Sequence, residues 1–234
     1  MPTALLDLLL PSRCAGCDAP GALLCPRCAA RLHGEPACRM PAPSPPGLPE
    51  CWSATEYTGA ARRAILAYKE RGRTALAHPL AGALALTAAA AAGEGPLTLV
   101  PVPSARPALR RRGHDPVARL ASLAAGYLRA AGWPASVAGV LAQRRRVADQ
   151  AGLSSLQRAE NLALAFVVTD GRKGPQSGSW GGGGPVVLVD DVVTTGATIA
   201  EAARALREAG VAVPLAVTVA ATRRKRQSSL RDGG

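Results

Sequence analysis

Four apolar residues in a row, Val186, Val187, Leu188 and Val189, make the sharpest hydrophobic block in the chain. A short continuous run of this kind suits a strand buried on both faces of a parallel sheet. It ends at two carboxylates, Asp190 and Asp191, and a turn of small residues follows, Thr194-Thr195-Gly196-Ala197-Thr198. An alanine-rich helical pattern takes over at 199–209. Ala61, Ile65 and Leu66 have helical spacing within 60–69, and 74–92 and 117–131 read as further helices. Apolar runs at 97–102, 137–141, 166–169 and 213–221 read as strands. Strand and helix alternate along the chain, which predicts an α/β fold with a mostly parallel sheet flanked by helices.

Polar and breaker residues mark the connections. Residues 35–50 carry Pro36, Pro41, Pro43, Pro45, Pro46 and Pro49 and read as a semi-extended linker. Residues 104–115 are rich in arginine, 144–157 read as a polar loop, and 158–164 as a turn or short helix. The Gly/Ser-rich stretch 173–185, with Trp180 inside it, reads as a flexible surface loop, because a glycine run cradles phosphate only between a strand and a helix. These boundaries predict an N-terminal module with its linker at 1–50, a main domain at 51–222, and a basic, then polar tail at 223–234 expected to be disordered.

The chain has 234 residues, 48% of them apolar, enough for one medium domain and a small one. Aromatics are only 3%, so alanine, valine and leucine must fill the core. A net charge of +12 favours polyanionic partners, either nucleic acid or a pyrophosphate-bearing ligand. Residues 5–10 are too short to cross a membrane and include Asp7, and 81–92 is interrupted. A cytoplasmic protein without a membrane span is expected.

Cys14-Ala15-Gly16-Cys17 and Cys25-Pro26-Arg27-Cys28 form two CxxC pairs close together. Each pair can turn both sulfurs toward one ion, and two pairs supply the four-sulfur tetrahedron of a structural Zn2+. A redox CxxC would not come doubled. Cys38 and Cys51 stand apart with no CxxC partner, and His33 reads as a solvent-facing residue.

The block at 186–198 carries the chemistry. In an open α/β sheet, ligands bind beyond the carboxyl ends of strands, and a helix N-terminus there offers free N–H groups to an anion. The hydroxyls and glycine of the turn can close around a phosphate. Two carboxylates beside it would repel phosphate, but suit sugar hydroxyls or a hydrated Mg2+. A ribose 5-phosphate meets all of these demands. The plainer reading is a buried strand that ends in a capping turn with solvated aspartates.

This stretch resembles the phosphoribosyl pyrophosphate (PRPP) signature of type I phosphoribosyltransferases. The resemblance implies that Asp190 and Asp191 bind the ribose hydroxyls and are the catalytic carboxylates, Asp191 as the candidate base toward the acceptor. It implies that Val193, Thr194, Thr195, Gly196, Ala197 and Thr198 cradle the 5-phosphate, with Mg2+ bound alongside PRPP. VPVPS and the arginine loop after it would then hold pyrophosphate, through Ser104 and Arg106, with Arg111, Arg112 and His114 on a mobile flap. Charge growing on the leaving pyrophosphate is what arginines there would stabilise. A solvated basic loop is the alternative. Gln150, Arg158 and Asn161 line an acceptor pocket or cap the next element.

The order CxxC…CxxC, YKERGR, VPVPS, RRRGHD, RVADQAGL with RxxN, and the PRPP signature is similar to that of the ComF family across nearly the whole chain. That resemblance implies a phosphoribosyltransferase-like domain with an N-terminal zinc finger and a link to DNA uptake in natural transformation. It also admits a homodimer. Many members carry a further cysteine pair, of which only Cys38 and Cys51 stand here. A second function is consistent with the same residues: a non-catalytic protein that binds single-stranded DNA through Arg110 to Arg112, Arg144 to Arg146 and Arg223 to Arg226. Trp52, Trp133 and Trp180 would be its main stacking surfaces.

Overall fold

A computed structural model describes residues 13–104, 109, 113–144, 164–169 and 184–222. Among them, eight strands and five α-helices form. The strands are β1 (Ala37–Cys38), β2 (Glu50–Glu56), β3 (Leu97–Pro101), β4 (Ala135–Val137), β5 (Leu141–Gln143), β6 (Phe166–Val168), β7 (Val186–Val193) and β8 (Leu215–Ala221). The helices are α1 (Pro26–Leu32), α2 (Gly59–Glu70), α3 (Ala77–Ala92), α4 (Pro116–Ala130) and α5 (Ala197–Glu208).

The main sheet has the order β1-β2-β8-β7-β3-β4. All its pairings are parallel except that of the edge strand β1 with β2. The expected α/β architecture is therefore present. β3 connects outward to β4 on one side, while β7 connects to β8 on the other. The space beyond the carboxyl ends of β3 and β7 is thus a topological switch point, the place where diverging connections favour a ligand crevice in open α/β sheets.

Each face of the sheet has its own core. Val187 and Val189 of β7 pack with Leu97, Leu99, Val217 and Val219 against α2, α3 and α4. Val186 and Leu188 pack with Val100 and Ala216 against Ile199, Ala202, Ala203 and Leu206 of α5. With so few aromatics, alanine does much of the filling: Ala81, Ala121, Ala124 and Ala125 are fully buried. Such small side chains let helices approach one another closely, and dense packing is what makes a core stable. Beside α5 lies a two-stranded antiparallel sheet of β5 and β6. Glu201 and Arg204 of α5 grip its backbone at Phe166: Glu201 accepts from the N–H (3.4 Å), and Arg204 donates to the carbonyl (3.3 Å).

The structure departs from the sequence expectations in four places. Residues 137–141 do not form one strand: β4 closes the main sheet and β5 starts a second one, with Gly139 between them. Ala138 marks the split, its N–H still bonded to the Leu99 carbonyl (2.9 Å). The stretch 35–50 is more than a linker, because Ala37–Cys38 pairs with β2 as the sheet edge. β2 itself had no counterpart in the apolar pattern; its sequence ECWSATE mixes polar and small residues, yet Cys51, Ser53 and Ala54 are buried. Finally, Thr74–Ala92 is long and apolar enough to cross a membrane by length and composition. A short 3-10 turn, Thr74–Leu76, feeds α3 to create that length. Half of its most apolar window is buried, and Leu80 and Leu84 lie in the core, so in this fold it serves as a core helix.

Candidate functional site

β7 runs straight into the turn. It extends to Val193, so both aspartates lie within the strand rather than after it. The pleat changes step at the pair. Residues 186–189 alternate strictly between the two cores, but Val192 packs on the α2–α4 side and Val193 on the α5 side, the reverse of the earlier odd–even order. Val193 is 2% exposed, so its side chain belongs to the core and only its backbone borders the turn.

Asp190 is half-buried and Asp191 is 4% exposed. The Asp191 N–H donates to Asp190 Oδ1 (2.8 Å). Burial, and then the neighbouring Asp191 charge, push the Asp190 carboxyl well above the ordinary carboxylate range, while Lys69 pulls the other way. Lys69 Nζ lies 2.6 Å from Asp191 Oδ2. It stands in the last turn of α2, where a cation also suits the helix dipole. Its neighbour Tyr68 is buried and anchors that end of the helix by donating to the Pro116 carbonyl (2.9 Å). Tyr57 lies near the same charges: burial raises its hydroxyl, and Asp191 adds to the effect.

The turn is pinned at both ends. The Thr222 N–H donates to the Val193 carbonyl (2.9 Å), and the Thr222 hydroxyl to the Thr194 carbonyl (3.3 Å). Thr195 Oγ1 accepts from the Ala197 N–H (3.4 Å). Gly196 precedes α5 with φ +78°, a left-handed conformation that glycine takes without a Cβ clash. α5 thereby points its N-terminus, with amides outside the helical ladder, at the end of β7. Thr194 is exposed, Thr195 and Thr198 are half-buried, and Gly196 and Ala197 are buried. The proline-rich segment lies against this turn. A Cβ on Gly196 would come within 2.9 Å of Leu48 Cδ2 and 3.0 Å of Pro41 Cγ.

Across the crevice, the Val102 N–H bonds to the Val189 carbonyl (2.9 Å) and carries the end of β3 alongside the acid pair. Ser104 follows two residues later. Its N–H and hydroxyl both donate to the Asp115 carboxylate (3.0 and 3.1 Å). Asp115 also caps α4, accepting from the Val117 and Ala118 N–H groups (2.9 and 3.2 Å). One carboxylate therefore ties the two ends of the arginine loop together. His114 lies half-buried next to it. Arg106, Arg111 and Arg112 fall outside the described residues, as do Arg110, Gln150, Arg158, Asn161, Trp180 and the tail arginines. Two residues of the site were missed in the sequence: Lys69, far from Asp191 along the chain, and Asp115 as a clamp. A signal for the second was present, since Asp followed by Pro116 at the first helical position is a helix-start pattern.

The four N-terminal cysteines converge. The sulfurs of Cys14, Cys17, Cys25 and Cys28 all lie within 4.8 Å of one another. Cys17 and Cys25 sulfurs are 3.6 Å apart. Tetrahedral Zn–S bonds of about 2.3 Å require sulfurs separated by about 3.8 Å. N–H groups of Gly16 and Cys25 donate to Cys14 Sγ (3.4 and 3.3 Å). Burial raises the Cys14 thiol, but the N–H groups of Cys25, Gly16 and Cys17, with the Cys25 side chain, outweigh it and bring it down to about 6. Cys28 moves the other way, pushed up to about 12 by burial and by the neighbouring thiols. A Cβ on Gly16 would strike Cys28 Sγ at 2.6 Å, so only glycine lets the two knuckles close on each other. The donor set fits Zn2+. The cluster is fastened to the main fold by Arg63, which donates to the Gly16 carbonyl, and by Leu32, which joins the main core. His33 is exposed and donates to the Pro79 carbonyl (2.9 Å) rather than facing the sulfurs.

No curated protein matches the chain. The family model described as the phosphoribosyl transferase domain matches residues 135–232. That range takes in β4, the second small sheet, and the whole of β7, the turn and α5, while β3 and α2 lie before it. The match supports a phosphoribosyltransferase-like protein, built on a mostly parallel sheet and carrying an N-terminal cysteine cluster able to hold zinc.

Proposed function

We propose that the crevice between β3 and β7 binds PRPP with Mg2+, and that the protein transfers the phosphoribosyl group to an acceptor nucleophile. The observation that carries this reading is the acid pair set directly before a left-handed glycine and the N-terminus of α5. Hydroxyls of the ribose would be held by the carboxylates, and the 5-phosphate by the turn from Thr194 to Thr198. Mg2+, when bound, would neutralise the pyrophosphate and share the acid pair. In the transfer, the acceptor's lone pair forms the new bond at the sugar anomeric carbon. The C–O bond to pyrophosphate breaks, and its electron pair leaves with pyrophosphate. The protein's part is positioning and charge stabilisation, with Ser104 and the arginine loop beside the leaving group. The motif order supports placing this activity in the ComF family, in a cytoplasmic setting linked to DNA uptake. The cysteine cluster would hold Zn2+ as a structural element.

A second reading, single-stranded DNA binding without turnover, draws support from the net charge of +12. Calorimetric titration of PRPP with Mg2+ into the wild type and into Asp190→Asn/Asp191→Asn separates the two. Binding that disappears in the double variant supports the transferase reading. DNA affinity that falls steeply with salt and survives the double replacement, with no PRPP binding to the wild type, supports the second.

A further inference from the structure

The outer face of α3 carries no charge. Residues 74–92, the 3-10 turn and α3 together, contain no Asp, Glu, Lys or Arg. Leu80, Ala81, Leu84 and Ala88 turn to the core. His78, Leu86 and Ala90 are exposed, and Gly82 and Ala89 are half-buried. At about 3.6 residues per turn, these five positions fall within about one third of the helix circumference. A helix face in water ordinarily carries charged and polar side chains. Here only His78 is polar, and its Nδ1 meets the Tyr127 hydroxyl of α4 (2.8 Å). Leu86 is 54% exposed and stands above small neighbours, Gly82, Ala89 and Ala90. A lone exposed leucine needs no explanation, but a whole helix face without charge does. The cysteine module already rides on one end of this face. The His33 Nε2 lies 2.9 Å from the Pro79 carbonyl oxygen and 3.5 Å from where a Cβ on Gly82 would stand. The Arg73 guanidinium donates to the Arg13 carbonyl. Arg13, where the described chain begins, is thus held at the N-terminal end of the 74–92 helix.

We propose that this face is a docking surface for the chain's own N-terminal segment, residues 4–10, which lie outside the described residues. Their sequence, ALLDLLL, holds Leu5, Leu6, Leu8, Leu9 and Leu10 and a single charge, Asp7. Leucines in that number gain by leaving water, and the α3 face offers apolar area with no charge to desolvate. The shapes agree as well: small side chains at Gly82, Ala89 and Ala90 make a shallow bed into which large ones can settle. The reach is sufficient. Leu86 lies about 18 Å along the helix from Thr74, at about 1.5 Å per residue. The chain from Arg13 back to Leu5 spans up to about 26 Å when extended, at about 3.3 Å per residue. The bond from Arg73 to the Arg13 carbonyl sets the start of that path at the correct end of α3. Docking there would also hold the cysteine module on both sides, by His33 on Pro79 and Gly82 and by the segment that leads into Cys14. The inference is independent of the PRPP reading of the crevice.

The test uses the full chain as the wild type, Leu86→Glu, Leu5→Glu/Leu9→Glu and the three changes combined. Glutamate forms helix nearly as well as leucine, so an uncovered face would accept it at Leu86 with little loss. Hydrogen exchange read by mass spectrometry comes first. Amides of residues 4–10 should exchange at least about tenfold more slowly than a free chain, and Leu86→Glu should remove most of that protection. Thermal melts come second. Leu86→Glu and Leu5→Glu/Leu9→Glu should each lower Tm by about 3–8 °C. The combined variant should fall no further than the larger of the two, as expected of groups that act through one contact. Wild-type amides at 4–10 that exchange at the free-chain rate would overturn the proposal, whatever the melts show. So would a Leu86→Glu melt equal to that of the wild type, or penalties that add in the combined variant. Light scattering names the rival occupant: a wild-type dimer that Leu86→Glu dissociates, with 4–10 unprotected, would give the face to a second copy of the chain. Sedimentation with lipid vesicles that Leu86→Glu abolishes, again with 4–10 unprotected, would give it to a membrane surface.

Discussion

Replacing Gly196 by alanine strikes the proposed phosphate turn at its tightest point. Two costs follow from the structure. The residue has φ +78°, and an L side chain held in that region loses about 1–2 kcal/mol. The new Cβ would also stand 2.9–3.0 Å from Leu48 and Pro41, and forcing extra volume into a packed site costs about 1–3 kcal/mol. Leu48 is a flexible side chain, so the second cost should fall at the low end, for a sum of about 2–3 kcal/mol. For a chain of this size that corresponds to a fall in Tm of about 4–12 °C. Gly210→Ala is the control. Gly210 has φ +79° but nothing within 4 Å of its Cβ position, so it should show the backbone cost alone. Urea unfolding of both variants isolates the packing contribution of the proline-rich segment on the turn. Equal losses in the two would refute the claim that Leu48 and Pro41 press on Gly196.

Other consequences are as direct. The raised native pKa of Asp190 means that the folded state binds this proton more tightly than the unfolded chain does. Its charge therefore costs stability above the ordinary carboxylate range, and the cost fades as pH falls through the native value. Asp190→Asn should accordingly melt higher than the wild type at neutral pH, with the difference closing on acidification; a lower melting point at neutral pH would contradict the assignment. Gly16→Ala should lower zinc content below the about one ion per chain expected of four thiolates, measured by metal analysis after gel filtration. Chelators should destabilise the wild type far more than Gly16→Ala, and equal responses would argue against a metal role for the cluster. Asp115→Ala removes a helix cap, worth about 0.5–2 kcal/mol, together with both bonds to Ser104, so a loss of about 1–3 kcal/mol in urea unfolding is expected. An unchanged midpoint would show that the clamp is idle.

What could be read from the sequence was what depends on near neighbours. The block from Val186 to Thr198 announced strand, acid pair, turn and helix in order, because each is a local preference and the strand is buried on both faces. The two CxxC pairs announced a metal-ready cluster for the same reason. What stayed hidden depends on contacts between distant segments. Glu50–Glu56 is a strand because β8 offers it a parallel partner, with the Ser53 and Thr218 hydroxyls bonded at 2.7 Å, and no apolar run marks it. Lys69 looked like one cation in the basic stretch YKERGR; only the folding of α2 against the end of β7 gives it Asp191 as a partner. The proline-rich stretch reads as a spacer until Leu48 is seen packed in the α5 core.

The most direct test of the central claim is hydrogen exchange, followed by mass spectrometry, with and without PRPP and Mg2+. Slower exchange is expected at the amides of Asp190 to Thr198 and at Val102 and Ser104, the two walls of the crevice. Protection confined to the cysteine cluster or the arginine-rich surface, with the turn unchanged, would contradict it.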